Sequence, residues 1–177
     1  IILDPGIAFG TGYHPTTQMV VEEMEHRLFP GCTCLDLGSG SGILSIAALR
    51  LGAKSAVGVD IDPKAEKAAG ENAALNGFGF PEFQACTGSV TEDPALMEKL
   101  AGNGHDFIFV NIVADVIISL APVLPKLAGD KGTVILSGIL DTRLAEVEQA
   151  LTRSGMDIIA RKAKEEWRCL TAKRRQA

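Results

Sequence analysis

The fold is decided by the stretch Leu35-Asp36-Leu37-Gly38-Ser39-Gly40-Ser41-Gly42-Ile43-Leu44. This stretch predicts an apolar strand, a glycine-rich turn and the start of an apolar helix. The glycines let the backbone pass close to a ligand, and the helix that begins near Gly42 directs free N–H groups toward the same place. We therefore predict that the turn holds a nucleotide-like cofactor.

The spacing of the glycines narrows the choice of cofactor. The pattern is G-x-G-x-G, whereas dinucleotide sites use G-x-G-x-x-G, in which the third glycine allows close helix–strand packing beside a pyrophosphate. Asp36 ends the strand just before the turn. Its carboxylate would repel a pyrophosphate and would suit a cation. S-adenosylmethionine, which carries an ammonium and a sulfonium, meets these conditions.

Length and composition predict one domain with a substantial core. The chain has 177 residues, 46% of them hydrophobic, and a formal net charge of -5 at pH 7. This acidic balance disfavours nucleic-acid binding, and the basic cluster Lys173-Arg174-Arg175 is predicted to be a solvated terminus. No stretch is typical of a signal peptide or a transmembrane span, which predicts a cytoplasmic protein without membrane contact. Because the chain begins Ile-Ile-Leu-Asp without Met, we expect an upstream portion to be missing.

The cysteines lie in apolar, strand-like runs. They are Cys32, Cys34, Cys86 and Cys169. None forms a C-x-x-C pair, and no cluster with histidine has the spacing of zinc ligands. We predict that all four are reduced residues of the core and that the chain has no metal site.

Apolar runs that alternate with helical patterns predict the fold class. Strands are predicted at 32–37, 56–61, 82–86, 107–110, 133–136, 156–160 and 167–172. The alternation with helices predicts an α/β fold with a doubly wound, mostly parallel seven-stranded sheet. The last two strands have no room for a helix between them, so we expect an antiparallel hairpin at the sheet edge.

The sequence also makes four specific predictions about helices. An amphipathic helix is predicted before the first strand, with Val20, Val21, Met24 and Leu28 on its apolar face and Glu22, Glu23, Glu25 and Arg27 on its polar face. Asp62 and Pro63 are typical of a helix start. Only one helical turn is predicted around 95–100, and Pro122 and Pro125 are expected to bend or end the helix that follows the fourth strand.

The ends of the strands supply the candidate site residues, because ligands of such sheets bind beyond the carboxyl ends. Asp60 ends the second strand about twenty residues after the glycine turn, where a carboxylate can accept hydrogen bonds from both ribose hydroxyls of an adenosine. Asn111 ends the fourth strand and offers an amide to whatever lies above the sheet. A nicotinamide cofactor would use Asp60 equally well, so this alternative stays open.

The segment from Asp4 to Thr17 is rich in glycine, proline and hydroxyl groups, unlike an ordinary linker. We predict that residues 1–17 form a lid-like loop in which Phe9 shields a ligand and Thr17 donates or accepts a hydrogen bond. His14 is predicted to be a structural hydrogen-bonding residue, since no nucleophile can be assembled around it from spacing. Trp167 is predicted to pack in the core.

Taken together, segments 4–17, 35–44, 58–63 and 111–114 closely resemble a bacterial family of class I S-adenosylmethionine-dependent methyltransferases, the PrmA family, which modifies ribosomal large-subunit protein eleven. The resemblance spans nearly the whole chain, and its most specific part is the loop F-G-T-G-Y-H-P-T-T combined with N-I-V-A. It implies that the chain is the catalytic domain, 1–177. It also implies a Rossmann-like fold and cofactor-binding residues at Thr17, Gly38, Asp60 and Asn111, with Phe9 and Gly10 beside the transferred methyl. Together with Asp36 and Gly40 of the strand and glycine turn, these residues form the predicted cofactor site.

The resemblance implies methylation of lysine side chains and an N-terminal amine of that ribosomal protein, with Asn111 as the candidate that orients the amine. It also implies a small substrate-recognition domain outside this chain, so we expect the chain to bind cofactor but to methylate poorly alone. The alternatives are a nicotinamide-dependent oxidoreductase, a cofactor-binding module without catalysis, and a methyltransferase that acts on a small molecule or a nucleic acid. Oligomeric state is left open.

Overall fold

The structure, a computed structural model, describes residues 1–4 and 12–176. The strands in these ranges are β1 (Thr33–Leu37), β2 (Ser55–Asp60), β3 (Phe83–Thr87), β4 (Phe107–Asn111), β5 (Thr133–Leu140), β6 (Met156–Lys164) and β7 (Trp167–Arg174). The helices are α1 (Pro15–Arg27), α2 (Ile43–Arg50), α3 (Pro63–Leu75), α4 (Pro94–Ala101), α5 (Ala114–Leu120), α6 (Leu124–Ala128) and α7 (Leu144–Arg153).

The strands form one seven-stranded sheet in the order β3-β2-β1-β4-β5-β7-β6. Strands β1 to β5 pair in parallel, whereas β7 is antiparallel to both β5 and β6. The predicted doubly wound sheet with an antiparallel terminal hairpin is confirmed. Within the hairpin, β7 lies inside the sheet and β6 forms the edge.

Helices cover both faces of the sheet. The first face packs against α1, α2 and α3 and is built on Phe107, Phe109 and Ile135. The second face packs against α4 to α7 and is built on Leu35, Ile108 and Val134. These strands are apolar at nearly every position because both of their faces are buried, as is typical of parallel sheets.

Several elements are longer than the sequence predicted; β6 continues to Lys164 instead of ending at 160, and β7 continues to Arg174 instead of ending at 172. Strand β5 continues to Leu140 instead of ending at 136, because an irregularity in its pairing with β7 between Leu136 and Ile139 accommodates Gly138 at φ +83°. Helix α4 has eight residues rather than one turn, and Asp93 caps it by accepting from the backbone N–H groups of Ala95 and Leu96. The predicted break before Pro122 is confirmed, since α5 ends at Leu120, whereas Pro125 lies in the first turn of α6.

The prediction for Glu23 was wrong. Its position on the polar face of α1 predicts solvent exposure, but the side chain is 4% exposed. The helix packs against β5, β6 and β7, and these strands supply partners that the helical pattern cannot reveal. Glu23 pairs with Arg27 (2.6 Å) and with Lys162 of β6 (3.2 Å), and accepts a hydrogen bond from Thr171 of β7 (2.7 Å).

The cysteines are free thiols, as predicted. Cys32, Cys34 and Cys169 are buried, whereas Cys86, near the edge of the sheet, is only partly buried. Burial raises the pKa of Cys169 to about 12, with a further increase from the nearby Glu23. In the part of the chain that the structure describes, no helix is long and apolar enough to cross a membrane.

Candidate cofactor and methyl-transfer site

The candidate site lies where β1 and β4 meet in the sheet. Chain connections run to β2 and β3 on one side of β1 and to β4 and β5 on the other, so this is the point at which the strand order reverses. Ligands of open α/β sheets bind in the crevice beyond the carboxyl ends at such a point. The glycine turn (residues 38–42) follows β1, and Asn111 ends β4.

Backbone contacts hold the glycine turn against β2. The N–H groups of Gly38 and Ser39 both donate to the carbonyl of Val59, over 2.8 and 3.1 Å. Gly38 has φ +76°, and a Cβ at this position would lie 2.6 Å from Cγ2 of Ile112. The residue must therefore be glycine for the turn to lie next to the end of β4.

Asp36 lies beneath the glycine turn rather than on its open side. The carboxyl is 1% exposed, and its Oδ2 accepts hydrogen bonds from the backbone N–H and the hydroxyl of Ser45 in the first turn of α2. Burial raises the pKa of Asp36 to about 7, and the bonds from Ser45 only partly oppose this increase. Its direct contact with a cofactor stays a prediction.

Asp60 lies next to the glycine turn, at the end of β2. Its Oδ2 accepts a hydrogen bond from the backbone N–H of Gly40 (2.9 Å), and its Oδ1 accepts one from Asp62 (3.0 Å). The residue is half-buried. An ionised carboxylate has about four acceptor sites, so these bonds leave capacity for the hydroxyls of a ligand. Asp62 caps α3, as predicted, by accepting from the N–H of Lys64.

Thr17 and Asn111 meet on the other side of the turn. The Nδ2 of Asn111 donates to Oγ1 of Thr17 over 3.2 Å. Thr17 is 3% exposed and Asn111 is half-buried, so the amide is accessible from above the sheet while its partner is not. The structure thus brings Thr17, Gly38, Gly40, Asp60 and Asn111 to one edge of the sheet.

His14 has the structural role that the sequence predicts. Its ring Nδ1 caps α1 by accepting from the backbone N–H of Thr16. The ring also packs edge-on against Trp167, with 5.0 Å between ring centroids. Phe9 and Gly10, the remaining predicted site residues, lie outside the described residues.

Two buried asparagines near the end of α3 were not predicted from the sequence. Asn72, on the alanine-rich buried face of α3, is 2% exposed, and Asn76, which caps the end of this helix, is 5% exposed. Asn72 donates to the carbonyl of Ser41 in the glycine turn (2.9 Å). The sequence does contain a pattern that could have predicted their burial: the two amides are spaced i, i+4 on the helix face that carries Ala65, Ala69 and Ala73.

The sheet order, the glycine turn after β1 and the acid after β2 define a Rossmann-like methyltransferase fold. A sequence model described as ribosomal protein L11 methyltransferase (PrmA) matches residues 1–175. The chain belongs to this family, which confirms the resemblance found in the sequence.

Curated relatives and solved structures agree with this assignment. The chain is 44% identical to the ribosomal protein L11 methyltransferase of Desulfosudis oleivorans over 174 residues, which are 98% of the chain and 56% of the relative. For the protein of that name from Geobacter sulfurreducens, identity is 43% over 170 residues, 96% of the chain and 53% of the relative. The chain thus spans just over half the length of these relatives. A crystal structure of ribosomal protein L11 methylase from Lactobacillus delbrueckii subsp. bulgaricus matches with a TM-score of 0.87 and 37% identity, covering 98% of this chain and 84% of that one.

Proposed function

We propose that the chain is the cofactor-binding methyltransferase domain, residues 1–177, of an S-adenosylmethionine-dependent enzyme that methylates lysine and N-terminal amines of ribosomal protein L11. The observation that carries this proposal is the family match over residues 1–175, in a chain whose Asp60–Gly40 and Thr17–Asn111 pairs lie at one sheet edge. Because the chain matches only part of its relatives, the activity is proposed for the protein that contains this domain.

The residues around the turn fit S-adenosylmethionine by their chemistry. Segments 36–44, 60–62 and 111–114 carry carboxylates, hydroxyls and an amide, and no Lys or Arg. These groups can bind ribose hydroxyls and a cationic ligand. They lack the positively charged side chains that commonly bind a pyrophosphate. The nicotinamide-dependent alternative is therefore not favoured.

Each residue has a distinct proposed part in holding the cofactor. Asp60 accepts hydrogen bonds from the ribose hydroxyls, and the backbone of Gly38 and Gly40 allows close approach. Thr17 and Asn111 lie on the opposite side, and the buried Asp36 supports the turn from beneath. The family resemblance assigns Phe9 and Gly10 to positions beside the methyl. When bound, the cofactor supplies an electrophilic methyl group on a sulfonium.

The acceptor amine has to lose its proton before it can be methylated. Keeping a lysine with a reference pKa near 10.4 neutral at pH 7 costs about 4–5 kcal/mol. Because Nδ2 of Asn111 is engaged by Thr17, the Oδ1 of this amide remains to accept a hydrogen bond from an amine N–H. Alignment of two reactants is worth about 7–11 kcal/mol in favourable cases, so orientation of the amine is the contribution we propose for Asn111.

The proposed substrate also determines the cellular location and the partners that we propose. We place the reaction in the cytoplasm, where ribosomal proteins are made, with the ribosomal protein as the direct partner. A net charge of -5 gives the chain no general attraction for nucleic acid or for an anionic membrane surface, so neither is proposed as a partner.

Two measurements test the proposal. Calorimetry is expected to show that this chain binds S-adenosylhomocysteine and does not bind NAD. Asp60→Asn is expected to weaken the binding of S-adenosylhomocysteine by about tenfold or more, since hydrogen bonds to charged groups are worth about 1.5–3 kcal/mol. Tight NAD binding without a response to S-adenosylhomocysteine would overturn the proposal. With labelled S-adenosylmethionine, the full-length protein is expected to label L11 in a ribosomal extract; label in RNA or in small molecules would overturn the substrate assignment.

A further inference from the structure

The extended amino-terminal segment (residues 1–4) lies along the buried asparagines of α3. The backbone N–H of Ile2 donates to Oδ1 of Asn76 (2.9 Å), and Nδ2 of Asn76 donates back to the carbonyl of Ile2 (2.6 Å). The backbone N–H of Asp4 donates to Oδ1 of Asn72 (2.9 Å). The two amides, one helical turn apart, therefore bind the segment through its backbone.

Asn72 also contacts the glycine turn. While its Oδ1 accepts from Asp4, its Nδ2 donates to the carbonyl of Ser41 (2.9 Å). The side chain of Asn72 thus contacts both the amino-terminal segment and the glycine turn, which are distant from each other in the sequence. At 2% exposure, it has no water to replace either partner, so loss of one contact leaves a buried polar group unpaired.

The peptide that Asn72 holds lies in a turn that one internal hydrogen bond closes, from the N–H of Gly42 to the carbonyl of Ser39 (2.7 Å). Ser41 lies between Gly40 and Gly42, which have φ of +50° and +78°. Glycine occupies many backbone conformations at similar cost, so contacts with neighbouring elements add to this internal bond in setting the conformation of the turn. Helix α3 supplies two such contacts, because Gly42 also lies against Ala69, to which an added Cβ would come within 3.0 Å.

We infer that Asn72 is a positioning residue that couples the amino-terminal segment to the glycine turn, so that docking of residues 1–4 tightens binding of the cofactor. The inference rests on the proposed function for the identity of that cofactor. The segment ends at residue 4, directly before the stretch that contains Phe9 and Gly10.

The test uses a pair of variants that differ in whether residue 4 has a backbone N–H, and the Asn72→Ala background separates this effect from the other restrictions that proline imposes on the backbone. Asp4→Pro removes the N–H that donates to Asn72, whereas Asp4→Ala removes the same carboxylate but keeps the N–H. Residue 4 is exposed, so neither variant is expected to unfold the chain. Asp4→Pro should raise the dissociation constant of S-adenosylhomocysteine about three- to tenfold relative to Asp4→Ala, the range expected for one hydrogen bond.

The same pair is then measured in the background of Asn72→Ala. There the two variants are expected to bind S-adenosylhomocysteine equally, because the side chain that transmits the effect is gone. Equal binding by the two variants in the wild-type background, or an unchanged ratio in the Asn72→Ala background, would overturn the inference.

A second readout needs no cofactor. In the ligand-free protein, the backbone amide NMR signals of Gly40 and Gly42 should differ between Asp4→Pro and Asp4→Ala, and this difference should vanish in Asn72→Ala. Identical signals in the first pair would overturn the coupling. If the signals respond as expected but the wild-type chain does not bind S-adenosylhomocysteine, the proposed function is wrong, whereas the coupling between residues 1–4 and the glycine turn is supported.

Discussion

Asn111 and Thr17 are 94 residues apart in the chain, yet the amide of Asn111 donates directly to the hydroxyl of Thr17. This bond joins the end of β4 to the first turn of α1. It determines which end of the amide is left for a substrate, because Nδ2 is engaged and none of the residues that the structure describes donates to Oδ1. The two residues are therefore expected to act as a unit.

The first prediction concerns that unit. Asn111→Ala is expected to lower methyl transfer by the full-length protein, because the amine loses its acceptor. Thr17→Val should lower it about two- to tenfold, the range for one hydrogen bond, and should have no further effect in the Asn111→Ala background. Thr17→Ser, which keeps the hydroxyl, is the control. Unchanged cofactor affinity and turnover in Asn111→Ala would remove this residue from the site.

The second prediction concerns the buried carboxyl of Asp36. Its pKa is about 7 in the folded protein, against 3.8 as the ordinary value. Between these values the folded state holds a proton that the unfolded state has lost, so the free energy of unfolding should fall as pH rises from about 4 to about 7. Asp36→Asn, which keeps an acceptor for Ser45, should lack this decrease and be more stable at pH 8 by at most about 4 kcal/mol.

Urea unfolding at pH 5, 6, 7 and 8 measures this effect. Asp62→Asn is the matched control, since it replaces an exposed acid by another good helix cap and should leave the pH dependence as in the wild type. If Asp36→Asn shows the wild-type slope between pH 5 and 7, the carboxyl of Asp36 does not titrate in this range.

The third prediction concerns Glu23. Burial alone would raise the pKa of this carboxyl, but hydrogen bonds from Arg27, Thr171 and Lys162 outweigh it and hold the pKa below the ordinary value of 4.5. The stabilisation is thus present above about pH 4.5 and is lost as pH falls below it. Glu23→Ala should reduce the free energy of unfolding at pH 7 by about 1.5–3 kcal/mol, the range for hydrogen bonds to a charged group, because Arg27, Lys162 and Thr171 lose their acceptor.

Two comparisons make the Glu23 prediction specific. Glu25→Ala, an exposed acid on the same helix, should change stability by no more than about 0.5 kcal/mol. Glu23→Gln should remove the part of the acid sensitivity that Glu23 causes. Equal losses of stability for the buried and the exposed acid would show that the network does not stabilise α1.

The fourth prediction concerns the close approach of β5 to the end of β4. Gly138 and Gly31 have nearly the same φ, +83° and +86°, but an added Cβ would lie 2.4 Å from the carbonyl oxygen of Ile112 at Gly138 and would contact nothing within 4 Å at Gly31. Gly31→Ala should cost about 1–2 kcal/mol for its left-handed backbone.

Gly138→Ala should cost about 2 kcal/mol more than Gly31→Ala, because the carbonyl of Ile112 has to move. Methyl transfer should also fall at temperatures where the protein is still folded, since Ile112 adjoins Asn111. Thermal unfolding and activity of the two variants measure both effects, and equal unfolding temperatures would contradict the proposed contact.

The sheet could be predicted from the sequence because its signals are local. Apolar runs of strand length predict every strand, and the short connection between the last two strands marks the one place within residues 12–176 where no helix separates two strands. Asp60 and Asn111 could be placed because a strand end in a parallel sheet points to one known edge. Asp62 could be predicted as a helix cap because a capping residue is adjacent in sequence to the helix that it caps.

The remainder depends on contacts between distant residues. Glu23 is buried because Thr171 reaches it from 148 residues away, and no helical pattern carries that information. The extension of β5 past Leu136 depends on space that Gly138 provides beside Ile112. The placement of Phe9 and Gly10 rests on the family resemblance and stays a prediction.

The interior position of β7 has a consequence for the order of folding during translation. Strand β6 joins the sheet only through β7, which follows it in the chain. A nascent chain that has not yet reached Trp167 therefore leaves β5 with an open edge, and Lys162 has no fixed place from which to reach Glu23. Helix α1 is synthesised early, but it is expected to be among the last parts of the molecule to reach its final packing against the sheet.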